Sequence, residues 1–199
     1  MNERGVTFTA VLLAGGESRR MGAEKAGLIH RNGLPFWQHQ LHVLEQVDPD
    51  YIMVSAPKEP AWISEDMIWV KDQEEGHGPI RGIVSALKSC PTTHLICLGI
   101  DVVDMPAHEL KYFCTCSTNG IGLVPQTDAG WEPLAAIFPR ESTDTFIDCI
   151  GKEEYALQKI VDLLQRDGMI RPYPVPEDEL GFYRNINTDE EYEAWVATY

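Results

Sequence analysis

Positive charge is scarce in this sequence. Sixteen Lys and Arg stand against 31 Asp and Glu, a formal net charge of −15. A nucleic-acid backbone demands basic surface, so composition argues against a general DNA- or RNA-binding role. Long apolar runs are missing too. No segment approaches the ~18 residues of a membrane span, and Met1 to Thr7 is polar, without the apolar core of a signal peptide. The expectation is a soluble, cytoplasmic protein with no membrane partner. Cysteine is sparse, with five scattered residues, an odd number. Cys114 and Cys116 form a C-x-C pair, but no second pair or histidine set stands at zinc spacing, so ordinary reduced thiols are expected. Repeats and low-complexity tracts are lacking. The nearest thing to a linker, Pro172 to Pro176 followed by Glu177 to Glu179, is too short to separate domains. At 199 residues, one domain can bury a full core without disulfides or a structural metal.

What is present is an alternation of short apolar runs with helical periodicities. Strands are predicted over Phe8–Leu13, Tyr51–Ser55, Met67–Val70, Leu95–Ile100, Ile121–Val124 and Leu134–Phe138. Helices are predicted over Pro35–Val47, Pro79–Lys88, Pro106–Phe113, Glu153–Gln165 and Thr188–Thr198. In the first helix Trp37, Leu41, Leu44 and Val47 share a face. A turn is predicted around Asp128-Ala129-Gly130. The last helix opens with a capping box of Thr188 and Glu191. Leu95–Ile100 is continuously apolar and reads as a central parallel strand, buried on both faces. Alternation implies an α/β protein with a mostly parallel sheet and helices on both faces. The break in alternation after Phe113 predicts an antiparallel or irregular C-terminal half.

The richest segment is Leu13-Ala-Gly-Gly-Glu-Ser-Arg-Arg-Met-Gly-Ala-Glu-Lys25. Glycines let backbone N–H groups crowd an anion, while Arg19, Arg20 and Lys25 bring charge to the same place. A helix N-terminus alone offers an exposed anion only ~0.3–1 kcal/mol, too little for a triphosphate; the added cations point to one. The P-loop does not fit, since Gly16 and Gly22 are one residue too far apart and Lys25 is not adjacent. The dinucleotide fingerprint G-x-G-x-x-G is absent. A glycine-rich turn with surface arginines is the plain alternative.

A triphosphate site needs a divalent cation, and Mg²⁺ takes one or two carboxylates plus phosphate oxygens and water. Asp101 closes a buried strand, which aims it at the sheet edge bearing the glycine turn. Asp104 is its rival, or the N-cap of the helix at Pro106. Asp72 ends another strand ahead of Gly76-His-Gly-Pro-Ile-Arg-Gly82, a second glycine-rich lead-in to a helix. Trp62 and Trp69 either mark an interface or cover the core.

In this order the pieces resemble the MobA-type nucleotidyltransferases, which attach GMP to molybdopterin. The resemblance runs from Leu13-Ala-Gly-Gly-x-Ser-x-Arg-Met-Gly-x-x-Lys25 through Asp72, Gly78-Pro-Ile-x-Gly82, Asp101 and Glu132-Pro-Leu-Ala135 to Asn185-Ile-Asn-Thr-Asp-Glu-Glu191. It implies a three-layer α/β/α, Rossmann-like nucleotidyltransferase fold, with one antiparallel strand in a mostly parallel sheet. It also implies a single domain over 1–199, with a nucleotide-binding half at about 6–112 and an acceptor-binding half at about 113–199. The implied reaction is Mg²⁺-dependent GMP transfer from GTP to the terminal phosphate of molybdopterin, with release of pyrophosphate. Arg20, Lys25 and Asp101 would be catalytic, with Asp101 the metal ligand. Leu13, Ala14, Gly15, Gly16, Lys25, Ser55, Asp72, Gly78, Gly82 and Asp101 would bind nucleotide. Arg19, Asn185 and Asn187 would meet the acceptor. Proteins that deliver or accept the cofactor are implied partners. Glu24, Ser55, Val103 and Glu132 depart from the family's usual residues, which leaves the base and acceptor open. A related enzyme using CTP or another triphosphate, on the same pterin or on a sugar phosphate, is the alternative; so is a catalytically silent nucleotide-binding module.

Overall fold

The computed structural model of the chain describes residues 5–15, 25–72 and 77–198. Its sheet follows from the apolar runs. Strands β1 (Phe8–Leu13) and β4 (His94–Gly99) are buried at every residue, as expected where both faces are covered. Their side chains divide by parity between two cores. Phe8, Ala10, Leu12, Ile96 and Leu98 join one, while Val11, Leu13, Leu95 and Cys97 join the other. Helices α1 (Phe36–Val47), α3 (Ala107–Cys116) and α6 (Asp189–Ala197) close the first face, through Phe36, Leu44, Leu110, Phe113 and Trp195. Helices α2 (Ile80–Ser89), α4 (Thr143–Gly151) and α5 (Leu157–Arg166) close the second, through Ile83, Leu87, Phe146, Ile160 and Leu164. The result is the three-layer α/β/α arrangement.

With β2 (Tyr51–Ala56), β3 (Ile68–Lys71), β5 (Gly122–Thr127), β6 (Gly130–Trp131), β7 (Ala135–Pro139) and β8 (Ile170–Pro174), the sheet runs β3-β2-β1-β4-β7-β5-β6, and β8 lies against β5. The β1, β2, β3 and β4 pairings are parallel, as is β5 with β8; β7 runs antiparallel between β4 and β5. The two-residue β6 is the return arm of the hairpin at Asp128–Gly130. The chain moves outward from β1 to β3, then returns to place β4 on the other side of β1. Strand order therefore reverses between β1 and β4, where open α/β sheets bind ligands. Register aligns Leu13 with Gly99, so the two strands release their following residues side by side.

Three elements differ from the periodicity reading. The helix predicted from Glu153 starts at Leu157. Glu153 has φ 59°, and the Glu154 carboxylate accepts from Ala156 N at 3.1 Å, so this stretch is a turn. Ahead of it α4 was invisible, being nine residues long with only Phe146, Cys149 and Ile150 buried. The third is β8, where the proline-rich stretch had suggested at most a linker. Pro172 and Pro174 share parity, and it is Val175 N of the opposite parity that donates to Gln126 O at 3.0 Å. The missing N–H groups thus face away from β5, and an edge strand tolerates them. The Thr188–Glu191 capping box is present in full, with Glu191 N donating to Thr188 Oγ1 at 3.1 Å.

Candidate active site

At the reversal point a cleft of about 760 Å³ opens, lined by Leu13 to Gly15 at the end of β1, Gly99 to Asp101 at the end of β4, and Lys25, Gly78, Pro79, Leu134 and Asn187. Its floor is backbone. Ala14 N and Gly15 N both donate to Ser55 O, at 2.9 and 3.1 Å, which bends the chain over the end of β2. Beneath this bend the Ser55 hydroxyl donates to Asp72 Oδ1 at 2.5 Å. A Cβ on Gly15 would lie 2.2 Å from Asp72 Oδ2, and one on Gly82 would lie 2.7 Å from Ser55 Oγ. Glycine at these two positions is thus a requirement of close approach. Gly78, at φ 66°, supplies instead the left-handed turn that leads into α2.

Asp72 is 8% exposed. Burial pushes its carboxyl above the ordinary 3.8, against opposing pulls from the Ser55 hydroxyl and the Arg81 guanidinium. An acid whose folded pKa is raised binds more protons folded than unfolded. Stability is therefore fullest below 3.8 and is lost as pH rises through the raised value. Asp72→Asn, which keeps the shape without the charge, is expected to melt higher than the wild type at pH 7. Thermal melts from pH 7 to 4 check this: the gap should close toward pH 4, and a constant gap would contradict the burial argument.

On the other wall Lys25 Nζ bridges Asp101 Oδ2 at 2.8 Å and Asn187 Oδ1 at 2.9 Å. These residues are 76 and 162 positions from Lys25 in sequence. Asp101 reaches the cleft because β4 ends at Gly99, and its backbone is fixed on both sides. Ile100 N donates to Leu13 O at 3.2 Å and Ile186 N to Asp101 O at 3.1 Å. Val102 bridges to Asn185, so the C-terminal segment docks on the turn that carries Asp101. Asn187 is steadied by Glu191, whose Oε2 accepts from Asn187 N at 2.6 Å.

Asp104 takes a different place. Pro106 occupies the N-cap of α3 with no side-chain cap. The Asp104 carboxylate instead accepts from Trp195 Nε1 at 2.9 Å, with Arg31 at 3.8 Å and Arg184 at 3.9 Å. Arg31 also lies over the Trp195 ring, 4.2 Å from its centroid. Asp104 is thus the anchor of the C-terminal helix. Asp104→Ala strands the buried indole N–H and should cost about 1–3 kcal/mol, read from the urea midpoint. An unchanged midpoint would contradict the anchoring role.

The sequence-derived site residues therefore divide. Leu13, Ala14, Gly15, Lys25, Gly78, Asp101 and Asn187 line the cleft. Ser55, Asp72 and Gly82 form the buried support beneath it. Asn185 turns away, its Nδ2 donating to Tyr183 O at 3.2 Å. Gly16, Arg19 and Arg20 lie outside the described residues. Sequence reasoning missed the wall from Ala56 to Trp62. The signal available was Pro57, Pro60 and Trp62 directly after a strand end. Trp62 lines the cleft and stacks on Trp37, centroids 4.9 Å apart and planes 8° from parallel, with both packed against the core. Trp69 donates its indole N–H to Ala56 O at 3.3 Å.

Comparison with known proteins gives a consistent picture. The MobA-like NTP transferase domain matches residues 10–167. A probable molybdenum cofactor guanylyltransferase from Opitutus terrae is 31% identical over 194 residues, covering 96% of each chain. A molybdenum cofactor guanylyltransferase from Pseudomonas fluorescens is 27% identical over 184 residues, covering 90% of this chain and 89% of that one. Among solved structures, molybdopterin-guanine dinucleotide biosynthesis protein A from Archaeoglobus fulgidus superposes with a TM-score of 0.74 at 22% identity, over 96% of this chain and 97% of that one; at that identity it supports the fold.

Proposed function

This chain belongs to the MobA-like NTP transferase family, and we propose that it transfers GMP from GTP to the terminal phosphate of molybdopterin, releasing pyrophosphate. The observation that carries the proposal is the Lys25 ammonium held between Asp101 and Asn187 in the cleft at the strand-order reversal. A phosphate-binding cation and a metal-type carboxylate there face the same small space. The relatives' names supply the nucleotide and the acceptor.

In this reading an oxygen of the acceptor phosphate forms a bond to the α-phosphorus of GTP. The bond from that phosphorus to the β-phosphate oxygen breaks, and pyrophosphate carries away the electron pair. A phosphate monoester is already ionised near neutral pH, so no general base is required. The protein's work is in-line positioning and charge neutralisation. Leu13 to Gly15 present backbone to the nucleoside, and Pro57 to Trp62 wall it in. Lys25 swings from Asp101 onto the triphosphate and balances the leaving pyrophosphate. Asn187 guides the ammonium and faces the acceptor, where Asn185 holds the segment in place. Arg19 and Arg20, between Gly15 and Lys25 in the sequence, would add charge.

Mg²⁺ fits this site on chemical grounds. Asp101 already holds a cationic group, and a hard ion that takes its remaining ligands from phosphates and water needs little more from the protein. Bound there, it would supply neutralisation across the reacting phosphates. No helix among the described residues is long and apolar enough to cross a membrane, and a cytoplasmic site of action completes the proposal.

The test is pyrophosphate release with molybdopterin as acceptor and GTP, CTP, UTP or ATP as donor. GTP should be preferred by at least an order of magnitude. Preference for CTP would move the chain to a cytidylyl-transferring role on the same scaffold. Nucleotide binding without transfer from any of the four would mark a silent binding module.

A further inference from the structure

The buried stripe of α1 comprises Phe36, Gln40, Leu41, Val43 and Leu44. One member is polar. Gln40 is 0% exposed, as are Phe36 and Leu44 beside it. An amide in an apolar stripe is costly unless hydrogen-bonded. Gln40 is only half satisfied, because its Oε1 is buried with no partner among the described residues. Leu or Met would fill the space without that penalty, so any gain from the amide lies in its N–H₂ group. That group donates to Val102 O at 2.6 Å and, at 3.4 Å, to Gly99 O.

Those carbonyls flank Asp101. The turn from Gly99 to Val102 is closed by Val102 N donating to Gly99 O at 3.2 Å, and Gln40 fastens both of its ends to α1. The Asp101 carboxylate sits over the start of this turn, where a Cβ on Gly99 would come within 2.9 Å of its Oδ1. Any rotation of the turn therefore moves the carboxylate. The C-terminal segment holds the same turn from another side, through Ile186 N and Asn185. The donor is also neutral, so it fixes the backbone without competing for the carboxylate as a lysine would.

We infer that Gln40 is a positioning residue for Asp101, setting the direction of the carboxylate that the proposed function assigns to the metal. The inference rests on that assignment. Groups that orient a metal ligand from behind typically change metal affinity 10–100-fold when lost. Gln40→Met keeps the volume and removes the donor. Mn²⁺ binding to the full-length protein with a non-hydrolysable GTP analogue, followed by electron paramagnetic resonance of free Mn²⁺, should weaken about tenfold. The metal concentration for half-maximal turnover should rise by the same factor.

Val43→Ala, on the same buried stripe, controls for stability: it should lower the melting temperature without moving Mn²⁺ affinity. Affinity in Gln40→Met within twofold of wild type would overturn the inference, as would an equal loss in Val43→Ala. If Gln40→Met does not fold, Gln40→Asn, which withdraws the amide by one methylene, is read the same way. Failure of both to fold would make Gln40 a folding residue and overturn the inference. Asp101→Asn separates the layers. If it weakens Mn²⁺ binding while Gln40→Met does not, only the Gln40 role falls. If Asp101→Asn itself binds Mn²⁺ as well as wild type, the metal assignment falls and the inference with it.

Discussion

Asp101→Ala is expected to lower cation-dependent transfer by about three orders of magnitude and to leave the fold in place. The rate effect follows from the carboxylate's position. It lines the cleft two residues beyond the end of β4, and charge neutralisation by a bound metal is worth several kcal/mol, each 1.36 kcal/mol being about tenfold in rate. The fold persists for two reasons. The hydrogen bonds that fix residue 101, from Ile186 N and between its neighbours and β1, are made by backbone and survive the substitution. The lost ion pair with Lys25 has side chains only 17% and 13% exposed, so its removal lowers the melting temperature, but the ammonium keeps Asn187 as a partner. Pyrophosphate release against Mg²⁺ concentration, with a thermal melt, checks both parts. Turnover within tenfold of wild type would contradict the metal assignment.

Lys25→Ala is expected to lower kcat/KM by about 10²–10³, the usual consequence of removing one donor at developing charge. Both parameters should move, because the ammonium meets the triphosphate in the ground state and the leaving pyrophosphate in the transition state. Lys25→Arg should recover only part of the loss. The guanidinium is a planar fork, and the bridge to Asp101 and Asn187 is built around a point charge. Metal dependence should persist in Lys25→Ala, which separates this variant from Asp101→Ala. An unchanged kcat/KM would transfer the role to Arg20.

The sheet was legible in the sequence because its strands are buried on both faces. A run such as Leu95–Ile100 needs no partner to be recognised, and a carboxylate at its end has only one edge to face. Asp101 and Lys25 could therefore be named separately, and the structure adds that they touch. What stayed hidden depends on hydrogen-bond direction or on polar atoms inside apolar surroundings. β8 was obscured by Pro172 and Pro174, whose missing donors matter only if they face a neighbour. Hydrophobic periodicity assigns the stripe of α1 to Trp37, Leu41, Leu44 and Val47. The deepest positions are Phe36, Gln40 and Leu44, and hydrophobic periodicity cannot count a glutamine as core. Asp72 was seen as a strand-end carboxylate near a glycine-rich turn. That it underlies Gly15, bonded to Ser55, became visible only when strands β1, β2 and β3 were laid side by side. Asp101 leads its rival Asp104 in the sequence because it closes the strand, and the indole N–H of Trp195 is what engages Asp104 instead.

The most direct test follows the phosphorus. GTP labelled at the α-phosphate, incubated with the protein, Mg²⁺ and molybdopterin, should place the label in a pterin dinucleotide, with one pyrophosphate released per label transferred. The same incubation with Asp101→Ala should leave the label in GTP. Label recovered in GDP, with orthophosphate released and no pterin product, would mean cleavage at the terminal phosphate and would contradict the account.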